Sequence, residues 1–224
     1  MTRSPFSLAR RLCAAGCVAA GAVLPPLPAS AQDLSAEVAQ AMRLTPDRER
    51  GKQGFESCVS CHRGTASGRS DGAIPRLSGQ HASVIIKQVS DIRTGRRLNP
   101  EMKPYVEGAE VTPQLLADVA AYLQSLPITG SIGKGPGTAL ERGKDLFARD
   151  CTPCHGRSGE GLAAGFFPML ASQHYGYLLR ELHLIRDGKR GNSNPGMVQV
   201  IKAYSATDLE AVADHASRLP PPAR

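Results

Sequence analysis

Two pentapeptides carry the distinctive chemistry of this sequence: Cys58-Val59-Ser60-Cys61-His62 and Cys151-Thr152-Pro153-Cys154-His155. Thiols at this spacing can form disulfides, a redox couple, half of a zinc site, or thioethers to the two vinyl groups of a haem. The histidine directly after each pair separates these readings. In C-x-x-C-H, one helical turn and a bend set both sulfurs along one porphyrin edge, and the adjacent imidazole faces the iron. A structural zinc site gathers four ligands around one metal. Here each pair carries its own His, and the pairs stand 93 residues apart. A thioredoxin-like couple needs a βαβ pattern, which the sequence lacks. The expected cofactors are two covalently bound haem c groups. One is attached through Cys58 and Cys61 with His62 on its iron, the other through Cys151 and Cys154 with His155.

Each iron has a sixth position. Met102 follows His62 by 40 residues and Met197 follows His155 by 42, in the related loops Asn99-Pro100-Glu101-Met102 and Asn194-Pro195-Gly196-Met197. A lone Met is ordinarily core filler. Two in matching Asn-Pro loops are the expected ligands. The rivals are His81 and His174, which also match between the halves; their alternative reading is a helix-start His that packs or hydrogen-bonds. Met169 has no counterpart, since Arg76 stands at its place, and is assigned to packing.

These side chains must be positioned twice, and the chain repeats to do so. At the 93-residue offset Pro75 falls on Pro168, Leu77 on Leu170, Gln80-His81 on Gln173-His174, Ile92-Arg93 on Ile185-Arg186, and Gly95 on Gly188. Upstream, Glu49-Arg50-Gly51-Lys52 matches Glu141-Arg142-Gly143-Lys144 at offset 92. Each copy reads as helical. A first helix runs from about Asp47 into Cys58, and from Thr138 into Cys151. A second starts near His81 or His174 and stops at Gly95 or Gly188. A last helix opens with Thr112 as cap and Pro113 in its first turn, or with the capping box Ser205-Ala206-Thr207-Asp208. Leu115, Leu116, Val119, Leu123 and Leu126 share one face of it. Gly51 and Gly143, four residues before Phe55 and Phe147, suit close crossing of the first and last helices. The Gly-, Pro- and Ser-containing stretch 128–137 reads as a short flexible linker. Arg93, Arg96, Arg97, Arg186, Lys189 and Arg190 read as solvated helix ends.

Export precedes all of this. Arg3, Arg10 and Arg11 are followed by the 13-residue apolar run Leu12–Leu24, then Ala29-Ser30-Ala31. The run is too short to span a bilayer core of about 30 Å as a helix. It reads as a signal peptide over residues 1–31, with periplasmic delivery and Gln32 as first mature residue. The expected domains are 32–127 and 138–224, joined by 128–137. Losing the leader takes the basic count from 27 to 24 against 20 acids, a net charge of +4. That balance, with no basic run interleaved with aromatics, argues against a nucleic-acid partner. Aromatics at 4% and the absence of Trp argue against an aromatic-rich sandwich.

The sequence resembles the dihaem class I cytochromes c, most closely the cytochrome c4 family. The resemblance rests on Cys58-x-x-Cys61-His62, Pro75-x-Leu77, Gly79-Gln80-His81, Arg93-x-Gly95-x-Arg97 and Met102. In the second copy it rests on Cys151-x-x-Cys154-His155, Pro168-x-Leu170, Gln173-His174, Arg186-x-Gly188-x-Arg190 and Met197. It implies an all-α fold of two tandem cytochrome c-type haem domains with His/Met iron. It also implies that the carbonyls of Pro75 and Pro168 accept the ring N–H of His62 and His155. Arg63 departs from the pattern, standing where Gly156 has the usual glycine, which makes the two haem pockets unequal.

With both axial positions filled there is no open site for substrate, so the expected role is a carrier working by outer-sphere electron transfer. Its expected partners are redox proteins: a membrane haem–copper oxidase, a quinol–cytochrome c reductase or a dehydrogenase. Two readings compete, a bound electron-accepting subunit of a dehydrogenase such as a flavin sulfide dehydrogenase, and a dihaem peroxidase. The attachment chemistry is tested by mass. The denatured protein should weigh the chain from Gln32 plus two haems, and Cys58→Ala with Cys61→Ala should remove one haem and retain the other. A bare chain with two disulfides would refute the haem reading.

Overall fold

The computed structural model describes Met1 and residues 35–222. The leader read over 1–31 lies, Met1 apart, outside the described residues. Those residues are helical and contain no strand, only one isolated bridge between Leu162 and Phe167. The first half contains α1 (Ala36–Ala41), α2 (Arg48–Phe55), α3 (Val59–His62), α4 (Ala82–Arg93), α5 (Lys103–Val106) and α6 (Pro113–Ser125). The second contains α7 (Leu140–Leu146), a wide π turn (Phe147–Cys151), α8 (Thr152–His155), α9 (Tyr175–Arg186), α10 (Pro195–Ile201) and α11 (Ala206–Arg218).

The caps act as the sequence implies. Thr112 Oγ1 accepts the Leu115 N–H at 3.2 Å with Pro113 in the first turn. Ser205 and Asp208 form a reciprocal capping box on α11. Three elements were not foreseen: α5 and α10, where loops were expected, and α1. Helix α1, capped by Ser35, buries Val38 and Ala41 against α4 and α6 and places Glu37 3.1 Å from Arg93.

Each half has its own core. Phe55, Ile85, Ile86, Leu116 and Leu123 centre the first; Leu146, Phe147, Leu182, Ile201 and Leu209 centre the second. In both, the first long helix crosses the last at a glycine. A Cβ on Gly51 would lie 2.1 Å from the Asp118 carbonyl oxygen, and one on Gly143 2.1 Å from that of Ala211. These obstacles are backbone, so a side chain there pushes whole helices apart.

The connection 128–137 is irregular in conformation, as its composition implies, but it is tied along its length. Thr129 O accepts from Arg76 Nη1 at 2.7 Å. The Gly133 N–H donates to His174 Nδ1 at 3.2 Å, Gly135 O accepts from Arg218 at 2.7 Å, and the Gly137 N–H donates to Asp214 at 2.6 Å. These bonds tie the segment to both halves.

Behind the first haem motif, Arg63 adopts φ +66°, ψ 156°, and Gly156 adopts the matching φ +78°, ψ 163°. The turn needs a glycine-like backbone in both halves, and only one half has the glycine. Arg63→Gly should therefore raise stability by about 1 kcal/mol, the relieved strain exceeding glycine's extra unfolded-state entropy. Gly143→Ala should lower it by about 1–3 kcal/mol through overpacking. Thermal melts of the holoprotein, each kilocalorie moving the midpoint by roughly 2–4 °C, check both signs.

Candidate functional site

In each half the cysteines and histidine lie on the short turn that ends the first helix. Cys58 is half-buried, Cys151 is buried, and Cys61 and Cys154 are exposed. None of the four is paired in a disulfide. Burial, then the nearby Asp150 and Cys154, pushes the Cys151 thiol up to about 12, and burial likewise raises Cys58. Among the described residues, no group of three or more His, Cys, Asp and Glu comes together to hold a metal ion. The zinc reading therefore lacks its ligand cluster.

His62 and His155 are both buried. The Nδ1 of His62 lies 3.2 Å from the Pro75 carbonyl oxygen, and that of His155 lies 2.9 Å from that of Pro168. With the carbonyl as acceptor, Nδ1 carries the proton and Nε2 is left with its lone pair for a metal. Burial pulls both imidazoles below their usual range against the opposing effect of the carbonyl, which favours the neutral ring that ligation requires. The residues present thus suit a covalently held, histidine-ligated haem in each half.

The two methionine segments both open on Asn-Pro, but where loops were expected Met102 is the N-cap residue of α5 and Met197 lies on helix α10. The Asn99 side chain accepts the Met102 N–H at 3.1 Å; the Asn194 side chain caps α10 by accepting the Gly196 N–H at 2.8 Å. Met102 is half-buried at the start of α5, and Met197 is half-buried on α10 against the second core. The rival histidines are engaged elsewhere. His81 Nε2 donates to Glu160 O at 2.8 Å and His174 Nε2 donates to Ser67 O at 2.8 Å, each bond crossing from one half to the other. Met169 is buried, 5% exposed, consistent with packing.

The basic clusters are not uniformly solvated helix ends. Arg97 and Arg190 are largely buried between the halves. Arg97 Nη2 lies 3.1 Å and Arg190 Nη1 3.0 Å from the same Glu181 oxygen. Both arginines also donate to Gln88 Oε1. Arg93 is spent on carbonyls of Val106 and Val111. Sequence reading assigned these charges to solvent because helix ends usually face it.

It also missed the function of the glutamine before each helix-start histidine. Gln173 Oε1 accepts the Arg76 N–H at 3.0 Å and Gln173 Nε2 donates to Arg76 O at 2.9 Å. Gln80 does the same to Met169, at 2.9 and 3.0 Å. The available signal was the recurrence of Gln-His at the 93-residue offset.

Comparison with known proteins agrees with this architecture. The sequence matches the Cytochrome c family over residues 48–127 and 140–215, one segment per half. It is 34% identical over 169 residues to a thiosulfate dehydrogenase electron acceptor of Stutzerimonas stutzeri, covering 71% of this chain and 77% of that protein. It is 31% identical over 182 residues to cytochrome c4 of Pseudomonas aeruginosa, covering 75% and 87%. The crystal structure of reduced cytochrome c4 from Pseudomonas stutzeri superposes with a TM-score of 0.70 at 29% identity, over 78% of this chain and all of that one. The chain belongs to the cytochrome c family, as a dihaem electron carrier of the cytochrome c4 type with two covalently bound haem c groups.

Proposed function

We propose that Cys58 and Cys61 hold the first haem with His62 and Met102 as axial ligands, and that Cys151 and Cys154 hold the second with His155 and Met197. The observation that carries this assignment is the pair of ring hydrogen bonds to Pro75 and Pro168, which leaves each Nε2 for iron while His81 and His174 are committed to backbone carbonyls. When bound, each haem supplies a one-electron ferrous/ferric couple, held at high potential by a thioether ligand. The chain's own part is to fix each imidazole through a carbonyl and to shield it from water. With both axial positions filled by protein, no coordination site is left for a substrate.

On this reading the protein is an exported periplasmic carrier, not an enzyme. It takes electrons from a quinol–cytochrome c reductase or a dehydrogenase and passes them to a membrane haem–copper oxidase. The buried positions of Arg97 and Arg190 remove them from any docking patch, whereas Leu98 and Tyr105 near Met102 are exposed. A second reading, an electron-accepting subunit bound to a dehydrogenase, is favoured by the similarity to the thiosulfate dehydrogenase electron acceptor.

Two experiments test the assignment. Met102→His should markedly lower the potential of one haem and move the other little, because imidazole stabilises ferric iron better than thioether does. If His81→Ala, and not Met102→His, changed the low-spin iron spectrum, the ligand assignment would fall. The reduced protein should be oxidised by oxidase-containing membranes and show no turnover with peroxide. Rapid catalytic oxidation by peroxide alone would instead mark a peroxidase, and stable co-purification with a dehydrogenase would favour the subunit reading.

A further inference from the structure

The peptide unit between Pro75 and Arg76 serves both halves of the molecule. Its carbonyl lies 3.2 Å from His62 Nδ1, and its N–H donates to Oε1 of Gln173 at 3.0 Å. The unit between Pro168 and Met169 is its counterpart. There the carbonyl lies 2.9 Å from His155 Nδ1 and the N–H donates to Oε1 of Gln80 at 2.9 Å. Both glutamine amides have a defined orientation. Each Oε1 also accepts the N–H of the following histidine at 3.0 Å, and each Nε2 donates to the next carbonyl of the opposite half, Arg76 O at 2.9 Å or Met169 O at 3.0 Å. A reversed amide would set donor against donor and acceptor against acceptor. Gln80 and Gln173 are 8% and 6% exposed, and the residues they hold, Arg76 and Met169, are 2% and 5% exposed. Water therefore competes poorly for these bonds.

A peptide whose N–H is already donated is a stronger acceptor at its carbonyl, because hydrogen bonds in a chain polarise one another, and the effect grows at low local dielectric. A stronger acceptor draws the ring proton of the ligand imidazole further, makes the other ring nitrogen more basic and favours ferric iron. We infer that Gln80 and Gln173 are reciprocal positioning residues: each sets the basicity of the iron ligand in the opposite half, so the reduction potential of each haem is tuned by the other domain. The inference rests on the assignment of His62 and His155 as ligands.

The test uses the dihaem holoprotein with Gln173→Leu and Gln80→Leu, near-isosteric changes that delete both bonds of one clamp. Potentials are measured by spectroelectrochemical titration, with each haem assigned by NMR. Gln173→Leu should raise the midpoint of the His62 haem, shift the His62 ring N–H proton of the reduced protein upfield, and leave the His155 haem in place. Gln80→Leu should do the converse. His174→Gln breaks the neighbouring cross-half bond to Ser67 without touching the clamp, and should leave the His62 midpoint unmoved. The inference is overturned if a glutamine variant moves the haem of its own half, both haems equally, or neither, or if His174→Gln reproduces the shift. Should a variant fail to retain haem, the unmodified protein still decides: the Arg76 and Met169 amides must exchange with solvent as slowly as core helix amides, and exchange at loop rates would refute the clamp. Failure of the ligand assignment is separately visible, as the absence of His62 and His155 ring protons from the haem-shifted region of the unmodified protein's spectrum.

Discussion

An imidazole bound to iron through one nitrogen can still rotate about that bond, and its donor strength depends on what its second nitrogen meets. A hydrogen bond to a fixed carbonyl settles both orientation and strength. For the proposed ligands His62 and His155 the carbonyls belong to Pro75 and Pro168, thirteen residues after each histidine, and much of the surrounding structure holds them still. The chain folds back beneath each site through tight turns: the N–H groups of Leu77 and Ser78 both donate to Ala66 O, and those of Leu170 and Ala171 both donate to Gly159 O. The helices close over the result at two glycine crossings.

Much of this was legible in the sequence because it is local. The proposed haem attachment is encoded within five residues, and the starts of α6 and α11 within four, at Thr112 and Ser205. The glycine crossings could be read from spacing, since the same small residue recurs one helical turn before the same aromatic. What could not be read is where contacts cross between copies. An internal repeat reveals that Gln-His recurs at a fixed offset, but such identity is equally compatible with bonds inside each copy and with bonds exchanged between copies. The exchange is what the structure adds: Gln80 to Met169, Gln173 to Arg76, His81 to Glu160, His174 to Ser67. The same blindness hid the burial of Arg97 and Arg190, which as isolated residues near a helix end belong in water. Helix α1 escaped because six residues are too few for a periodic signal.

The copies have since diverged where repetition does not constrain them. Arg76 replaces the apolar Met169 of the other half. Its guanidinium is buried, bonds to the carbonyls of Ser172 and Thr129 and to the Ser78 hydroxyl, and leaves Nη2 without a protein acceptor. Desolvation pulls the Arg76 pKa down. Arg63 holds a backbone conformation natural to Gly156, and Cys151 is more buried than Cys58. These differences all fall on or beside the turns proposed to bear the haems, so the two sites sit in unequal electrostatic surroundings.

The four cross-half contacts made by the Gln-His pairs end on backbone atoms of the opposite half. A side chain that grips backbone is indifferent to what residue the partner position carries, which is how Gln173 can hold Arg76 while Gln80 holds Met169 in the same geometry. Side-chain-to-side-chain packing between two diverging copies would have demanded matched changes at every step. The interface therefore preserves the relative placement of two redox sites while leaving their local charge free to drift. For a carrier this separation of tasks is physically apt. Transfer between fixed centres depends on rigid spacing, supplied here by buried hydrogen bonds and a tied linker, whereas the direction of transfer depends on a difference in potential, which unequal local charge is able to set.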